Sequence, residues 1–294
     1  MSVDMLLQLL VGGISVGTMY GLIGLGFITI YNCTKVVNFP QGDFLMLGAI
    51  VTVYLLKVVH LPYLLAGVLA VAITALVGAL IYSAVLAPVG LNAHHMILIL
   101  ATLGASMMIE NSVLAVHGPY PSDLPPFTGR LPIRLGEVAV APQSLWVILT
   151  AAVVLAAMYL IMNRTTLGKE MTAAATDPLA ASLMGISIGS VARLSFVISA
   201  SIGALAGLVV APLLPLGYAS GLMLGFKGIT GGFIGGWGKS SGAVIGGVIL
   251  GLIETFAAGF LPTGYKDAIT FVVLILVLYF RPTGIMGAAM PEPE

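Results

Sequence analysis

Residues 58–109 read VVHLPYLLAGVLAVAITALVGALIYSAVLAPVGLNAHHMILILATLGASMMI and indicate the class of protein to which this chain belongs. These fifty-two residues lie between Lys57 and Glu110 and contain no Asp, Glu, Lys or Arg. An α-helix crosses the hydrocarbon core of a bilayer with about 20 mostly apolar residues. The stretch is therefore long enough for two crossings, and it predicts an integral membrane protein.

The composition of the whole chain supports this class. Hydrophobic residues make up 59% of the 294 residues and charged residues only 7%, whereas a soluble domain is about a quarter charged. Further stretches without charge at 5–34, 138–163 and 194–226 leave no room for a soluble domain. We therefore expect one transmembrane domain over 1–294, with a first half at about 5–163, a loop at about 164–189 and a second half at about 190–281.

Apolar runs separated by Gly, Pro and charged residues predict about nine transmembrane helices, with eight or ten as alternatives. Their predicted bounds are 5–31, 41–58, 62–87, 96–117, 143–163, 190–211, 220–236, 241–260 and 265–280. The predicted fold is an all-α integral membrane protein.

Basic residues near the ends of the spans predict how the chain is oriented. Cytoplasmic loops carry an excess of Lys and Arg, so segment 164–189 is predicted to be cytoplasmic, and segment 118–142 to lie outside, where it could fold as a small lid. The basic residues on the predicted cytoplasmic side are Lys35, Arg164, Lys169, Arg193 and Arg281. The charged residues of the outer segment are Asp123, Arg130, Arg134 and Glu137.

The tetrapeptide Leu-Met-Leu-Gly occurs at 45–48 and again at 222–225, each time shortly after a polar break. With the predicted spans the two copies cross the membrane in opposite directions, as expected for an inverted repeat of a unit of about five helices. A chance match is the alternative in a chain so rich in leucine. Glycines four residues apart predict close helix packing, and they are Gly13, Gly17 and Gly21; Gly203 and Gly207; Gly231 and Gly235; Gly238, Gly242 and Gly246; and Gly247 and Gly251.

Motifs for nucleotide binding or catalysis do not fit. Gly238-Lys239-Ser240 resembles the end of a P-loop, but Phe233 stands where the motif needs its first glycine. Cys33 is the only cysteine, which excludes an internal disulfide and a cysteine-based metal cluster. The sequence predicts no enzyme, no cofactor and no metal site in this chain. Its net charge of zero gives no reason to expect a nucleic-acid partner.

Three groups of residues resemble a known family. They are GTMYGLIGLG at 17–26 with NFPQGDF at 38–44; the glycine-rich stretch 228–236 with GAVIGG at 242–247 and Glu254; and YKD at 265–267 with FRPTGIMG at 280–287. Together, over about residues 10–287, they resemble the permease subunit of bacterial branched-chain amino acid ABC importers, the first of two related permeases. Members of that family often carry Ala-His-Gly-Glu where this chain has PQGD at 40–43.

The resemblance implies a type II ABC importer permease fold and a set of partners. These are a second, homologous permease subunit, two cytoplasmic ATP-binding subunits that hold the ATP and Mg, and a periplasmic solute-binding protein. The implied location is the bacterial inner membrane. The sequence leaves open whether the permease partner is a related chain or a second copy of this one. It also leaves open the substrate among branched-chain amino acids and related small amino acids, amides and carboxylates.

A short helix is predicted inside the polar loop. Asp177 can cap a helix whose first residue is Pro178, and Gly185 ends it, so the predicted helix covers 178–184. In the resembled family a loop helix of this kind docks on the ATPase. Ala181, Ser182 and Gly185 would then form the docking face. The alternative is a helix that lies on the membrane surface.

Ionisable side chains inside spans are costly and usually face a cavity or a partner. The candidates are Asp43, Glu110 with its neighbour Asn111, Lys227 and Glu254. An ion pair between Lys227 and Glu254 competes with a substrate contact. Stretch 38–43, with Asn38, Gln41 and Asp43, is predicted to line a pathway or gate, because Pro40 and Gly42 break the backbone there. A simple cytoplasmic turn is the alternative.

Three functions compete at this point. The leading one is an ABC import permease, since the chain spans the membrane and has no nucleotide motif of its own. An ion-coupled secondary carrier is second, although such carriers need carboxylates near the midplane and the acids here are few and off-centre. An intramembrane enzyme is third, and the scattered histidines speak against it.

Overall fold

The structure is a computed structural model that describes residues 3–91, 93–129, 131–135, 138–260, 262–281 and 283–287. Within these residues the chain forms eleven α-helices, with Tyr63–Val89 counted as one helix, and one β-hairpin. The helices are α1 (Val3–Thr34), α2 (Gln41–Lys57), α3 (Tyr63–Val89, with a π-helical turn at Tyr82–Leu86), α4 (His95–His117), α5 (Pro142–Arg164), α6 (Thr166–Thr176), α7 (Pro178–Leu183), α8 (Ile188–Val210), α9 (Ser220–Gly235), α10 (Ser240–Phe260) and α11 (Lys266–Phe280).

Six helices in the described part of the chain are long and apolar enough to cross a membrane, namely α1, α3, α4, α5, α8 and α10. The chain is therefore a multi-pass membrane protein. The predicted count of nine spans is not confirmed, because α2, α9 and α11 have only 17, 16 and 15 residues. For α2 and α9 the physical reason is that both begin in the interior of the bundle, so neither has to cover a full bilayer thickness.

The predicted all-α fold is confirmed, and one short β-hairpin accompanies the helices. Within the predicted lid, β1 (Ile133–Leu135) and β2 (Val138–Val140) form an antiparallel hairpin in which Ile133 faces Val140. β-Branched residues favour this conformation. The Gln8 side chain ties the hairpin to α1, since it donates to the Ala139 carbonyl at 2.8 Å and accepts from the Ala139 amide at 3.0 Å. Arg130 and Glu137 of the predicted lid lie outside the described residues.

Helix α1 runs through the centre of the bundle and packs most closely against α10. A methyl group added at Gly17 would lie 2.5 Å from the Cα of Val248, and one at Gly21 would lie 2.7 Å from the Cα of Val244. On the facing helix, a methyl group at Gly251 would lie 2.6 Å from the Gly13 carbonyl oxygen. The predicted close packing at these glycines is thus confirmed, and the two helices touch through their backbones.

Helix α8 occupies a corresponding place and packs against α2 and α3. A methyl group at Gly203 would lie 2.8 Å from the Cβ of Phe44, and one at Gly78 would lie 2.7 Å from the Cβ of Ala200. The first helix of each predicted half therefore packs against the third helix of the other half: α1 against α10, and α8 against α3.

The two ends of the bundle differ in charge. One end, called the basic end here, carries α6, α7 and the side chains of Lys35, Arg164, Lys169, Arg193, Lys239 and Arg281. Cys33 at the end of α1 packs there against Met171 and Ala174 of α6. The opposite end, called the hairpin end, carries β1, β2 and an ion pair of 4.0 Å between Lys57 and Asp123.

Candidate functional site

Two helices start inside the bundle, and their first residues meet. Helix α2 begins at Gln41, beside Ser199, which lies halfway along α8. Helix α9 begins at Ser220, and its second residue, Gly221, lies against Gly42 and Asp43. A methyl group at Gly42 would overlap the Gly221 carbonyl oxygen and would lie 2.7 Å from the backbone nitrogen of Gly225. Only glycine allows this approach of two helix starts.

The chain reaches the start of α2 through a short non-helical stretch, residues 35–40, called the helix break here. Lys35 opens it with a φ of 57°. The backbone groups of the break find only some of their hydrogen-bond partners in the adjoining chain. The Gln41 amide donates to the Asn38 carbonyl at 3.2 Å, and the Thr102 hydroxyl of α4 donates to the Val37 carbonyl at 3.1 Å. The break thus crosses the half of the bundle next to the basic end as non-helical backbone, with helical hydrogen bonds only at its two ends, from Lys35 to Tyr31 and from Phe44 to Pro40.

Asn38 is the most unusual side chain of the break. It is fully buried, and neither polar atom of its amide has a hydrogen-bond partner within the described residues. An unpartnered buried amide costs about 1–3 kcal/mol. A group of this kind indicates a site that is completed by water, by a ligand or by a second conformation.

Gln41 is held from both ends of its amide group. Its Nε2 donates to the Ser199 carbonyl at 3.2 Å, and its Oε1 accepts from the Ser199 hydroxyl. The same hydroxyl lies 2.8 Å from the Gly26 carbonyl of α1. Gln41 therefore joins the start of α2 to α8 and α1 in the centre of the bundle.

Asp43 lies at the point where the two helix starts meet. It is fully buried, its Oδ2 accepts from the Ser106 hydroxyl of α4, and its Oδ1 has no hydrogen-bond partner within the described residues. No Lys, Arg or His in the described part of the chain lies within 4 Å of it. Helix starts carry partial positive charge, so α2 and α9 are the groups that stabilise a negative charge on Asp43.

Glu110 and Asn111 lie further along α4 and join this cluster only at its edge. Glu110 is one turn beyond Ser106 and half-buried. Asn111 is exposed, and its amide donates to the Met107 carbonyl of the same helix at 2.7 Å. An acid and an amide at the surface of a membrane helix are costly in contact with lipid.

Lys227 and Glu254 form a separate ionic cluster. The Lys227 Nζ lies 2.8 Å from Glu254 and 2.8 Å from Asp267, and the Lys266 Nζ lies 3.1 Å from Glu254. The ring of Tyr20 covers Lys227 at 5.5 Å. The predicted ion pair is thus confirmed. It connects α9 to α10 and α11 and leaves neither Lys227 nor Glu254 in contact with Asp43.

The loop helix forms as predicted, but its exposed face differs. The Asp177 carboxylate accepts from the amides of Leu179 and Ala180 at 2.9 and 3.0 Å, and Gly185 ends the helix with a φ of 86°. Ala181 is buried within this chain, whereas Ser182 and Gly185 are exposed, so Ala181 does not form part of the exposed face and the docking role stays a prediction. The side chain of Ala181 points toward a groove of about 710 Å³ between α5, α6 and α7.

The side chains that α7 presents to the outside are large and apolar. Leu179, Leu183 and Met184 are 72%, 80% and 84% exposed. Ser182 is exposed as well, and its hydroxyl donates back to the Leu179 carbonyl at 2.8 Å. The 3.6-residue spacing does not determine which side of so short a helix packs inward, since tertiary contacts decide it.

Three contributors to the central cluster were not predicted. Thr102 and Ser106 are four residues apart on α4 and hold the break and Asp43, while Ser199 holds Gln41. Hydroxyl residues four apart in an apolar helix were the available signal. Such side chains often bond only to their own helix, as Ser112 does to Met108 at 2.6 Å, so the signal is weak.

Comparison with known proteins gives the family. Residues 9–278 match the family described as "Branched-chain amino acid transport system / permease component". The high-affinity branched-chain amino acid transport system permease protein LivH of Escherichia coli K12 is 31% identical over 98% of this chain and 97% of its own length. The corresponding permease protein BraD of Pseudomonas aeruginosa PAO1 is 31% identical over the same shares, 98% and 97%. A probable LivH of Methanocaldococcus jannaschii is 28% identical over 95% and 92%.

A solved structure shares the fold. A chain of PsaBC from Streptococcus pneumoniae, determined in complex with an Fab, matches with a TM-score of 0.52 over 95% of this chain and 92% of that one, at 12% identity. This likeness concerns the fold alone. The family match and the relatives, taken with the six apolar helices, lead to one conclusion: the chain belongs to the permease component family of branched-chain amino acid transport systems.

Proposed function

We propose that this chain is the permease subunit of an ABC importer and forms one side of a pathway for branched-chain amino acids or closely related small amino acids. A second, homologous permease forms the other side. Two cytoplasmic ATP-binding subunits, which carry ATP and Mg, drive the cycle, and a periplasmic binding protein delivers the substrate. The observation that carries the proposal is the helix break, with Asn38, Gln41 and Asp43 in the interior of a membrane bundle.

The break supports a pathway because of where it lies. Non-helical backbone at membrane depth is tolerated only where it is buried in protein or lines a water-filled cavity. Asn38 and the Oδ1 of Asp43 are buried without a partner, and a second conformation that exposes them to water would satisfy both. A transporter that alternates between two conformations provides such a state.

The orientation follows from charge. The basic end carries Lys35, Arg164, Lys169, Arg193, Lys239 and Arg281. Because cytoplasmic ends of membrane proteins are rich in Lys and Arg, we infer that the basic end faces the cytoplasm. The hairpin end then faces the periplasm, where a binding protein would dock, and the bilayer is the bacterial inner membrane.

We infer that the chain is an inverted repeat. Its halves start with α1 and α8, continue with the interior helices α2 and α9, and cross-pack through α10 and α3. The two Leu-Met-Leu-Gly sequences lie on α2 and α9, which run in opposite directions from their meeting point. Inverted repeats with interrupted helices at the midplane are common in transporters. In this arrangement α2, α9 and α11 are partial crossings beside the six longer helices.

Coupling to the ATP-binding subunits is assigned to α7. Leu179, Leu183 and Met184 extend from the basic end, and an exposed apolar group of this kind fits a cleft in a partner protein. The alternative, insertion of the same side chains into the membrane surface, predicts that α7 binds lipid and leaves ATPase association unchanged.

Reconstitution tests the function directly. The complex with its permease, ATP-binding and binding-protein partners is placed in liposomes, and uptake of radiolabelled leucine is measured with ATP or with an imposed proton or sodium gradient. The proposal predicts uptake that needs both ATP and the binding protein. Uptake driven by an ion gradient without ATP would replace it with a secondary carrier.

A further inference from the structure

Three phenylalanine rings from three separate elements form a row beside the helix break. The ring of Phe226 on α9 lies 6.1 Å from the ring of Phe39 in the break and 6.1 Å from the ring of Phe271 on α11. Both contacts are edge-on, with interplanar angles of 75° and 63°. Phe39 and Phe226 are half-buried, and Phe271 is 38% exposed. The row therefore forms part of the surface of the chain.

At Phe39 the row adjoins backbone that lipid cannot cover. Phe39 belongs to the helix break, and non-helical backbone at this depth must be covered by protein or by water. The neighbouring helix α4 is bonded to the break through Thr102. Phe226 contacts Phe39, and Phe271 contacts Phe226, so the three rings form one continuous surface.

We infer that Phe39, Phe226 and Phe271 form the apolar barrier of the translocation pathway, which closes the pathway to water and past which the branched side chain of the substrate moves. The second permease covers this surface from the opposite side. Hydrophobic constrictions stop ions and polar solutes by excluding water, and phenyl rings on three different elements separate when those elements move. The inference rests on the proposed function and assigns residues to it.

The position of the row fits a moving barrier. Phe226 follows Gly225, which lies against Gly42 at the meeting point of α2 and α9, and it precedes Lys227, which is held by Glu254 and Asp267. A shift of α9 relative to the break therefore changes the contact between Phe226 and Phe39. The ionic cluster keeps α9 and α11 together during such a shift.

The test is leakage. Liposomes containing the assembled complex are loaded with radiolabelled leucine, and efflux is followed without ATP and without the binding protein. Phe226→Ala should raise this passive efflux about tenfold over the wild-type complex, because the water-excluding ring is lost. Phe271→Ala, on the exposed side of the row, should raise it as well. Phe233→Ala is the matched control: it lies seven residues further along α9, stacks on Trp237 at 4.2 Å, and should leave efflux at the wild-type level.

The outcomes separate the barrier from a packing role. Higher efflux for Phe226→Ala and Phe271→Ala, with wild-type efflux for Phe233→Ala, supports the barrier. Wild-type efflux for both row variants, or equal efflux for all three, overturns it, even if ATP-driven uptake falls. If Phe226→Ala does not assemble, Phe271→Ala decides by the same criteria. Failure of the proposed function shows separately, as loss of ATP-driven uptake by the wild-type complex.

Discussion

Replacing Gly42 with alanine probes the contact on which the interior site depends. A methyl group at this position would lie 2.8 Å from the carbonyl carbon of Gly221 and 2.7 Å from the backbone nitrogen of Gly225. Carbon atoms in favourable contact lie about 3.5 Å apart, and the Gly221 carbonyl oxygen is a still closer obstacle, so α2 and α9 must separate by more than roughly 0.7 Å. All three obstacles are backbone atoms, and no side-chain rotation relieves them.

Overpacking of this kind costs about 1–3 kcal/mol, and the midpoint of thermal unfolding falls by about 2–4 °C per kcal/mol for proteins of comparable size. We therefore expect Gly42→Ala to lower the apparent melting temperature of the purified complex by about 2–12 °C. Leucine uptake should fall by more than the loss of folded complex accounts for, because the displaced helix starts no longer surround Asp43. Size-exclusion profiles after a temperature series give the apparent melting temperature, and leucine uptake in liposomes gives the transport activity.

Gly225→Ala is the matched control. It lies in the same contact, but its added methyl group would be 3.5 Å from the nearest atoms of Gly42, which is ordinary van der Waals distance. It also removes a helix-interior glycine, which by itself stabilises a helix by about 0.5–1 kcal/mol. The reasoning is refuted if the two variants have the same melting temperature and the same uptake.

Three further predictions concern the ionic cluster, the orientation and the coupling helix. Lys227→Met removes the cation that lies 2.8 Å from buried Glu254, and we expect a loss of about 3–5 kcal/mol, seen as a lower melting temperature. A Lys227→Met/Glu254→Leu double variant should recover most of this loss, and no recovery would show that the two charges act independently. Single cysteines introduced at Thr172 and Tyr120 in a Cys33→Ala background should be labelled by a membrane-impermeant maleimide from opposite sides of the membrane. In intact cells we expect labelling of Tyr120→Cys from outside. External labelling of Thr172→Cys would reverse the orientation. Leu183→Asp should abolish ATPase association and uptake. Leu167 is an exposed leucine of α6 at the same end, and Leu167→Asp should retain both association and uptake. Retained association in Leu183→Asp would favour the membrane-surface alternative.

Much of the helical framework could be predicted from apolar run length alone. All nine predicted stretches contain a helix in the structure, because charges and prolines mark the ends of apolar runs in this chain. Run length does not show that α2 and α9 start inside the bundle. A helix that begins in the protein interior needs the same apolar side chains as one that begins at the membrane surface, and only the polar stretch before α2 signals the difference.

The hairpin was missed for a different reason. Its strands have three residues each, too few for an alternating pattern to stand out. The anchoring contact from Gln8 to Ala139 links residues 131 positions apart, so no local sequence signal contains it.

Only some residues of the site could be predicted from the sequence. Which ones could be predicted depends on whether their contacts leave a signal in the sequence. Asp43 and Gln41 follow Pro40 and precede a long apolar run, so the break marks them. The Lys227–Glu254 pair was predictable because an isolated charge inside a membrane protein needs a partner. Ser106 and Ser199 were not, since a serine in a span gives the same sequence signal whether it bonds to its own helix or to another.

The most direct test of the central claim is the water accessibility of the helix break in two states of the transport cycle. Asn38→Cys in a Cys33→Ala background is reacted with a small water-soluble thiol reagent, in the resting complex and in the complex trapped with ATP and vanadate, with Tyr120→Cys as an exposed reference. The account predicts that Asn38→Cys reacts slowly at rest, where position 38 is fully buried, and much faster in the complex trapped with ATP and vanadate, with leucine slowing the reaction. A cysteine at position 38 that stays unreactive in both states, while Tyr120→Cys reacts in both, would contradict it.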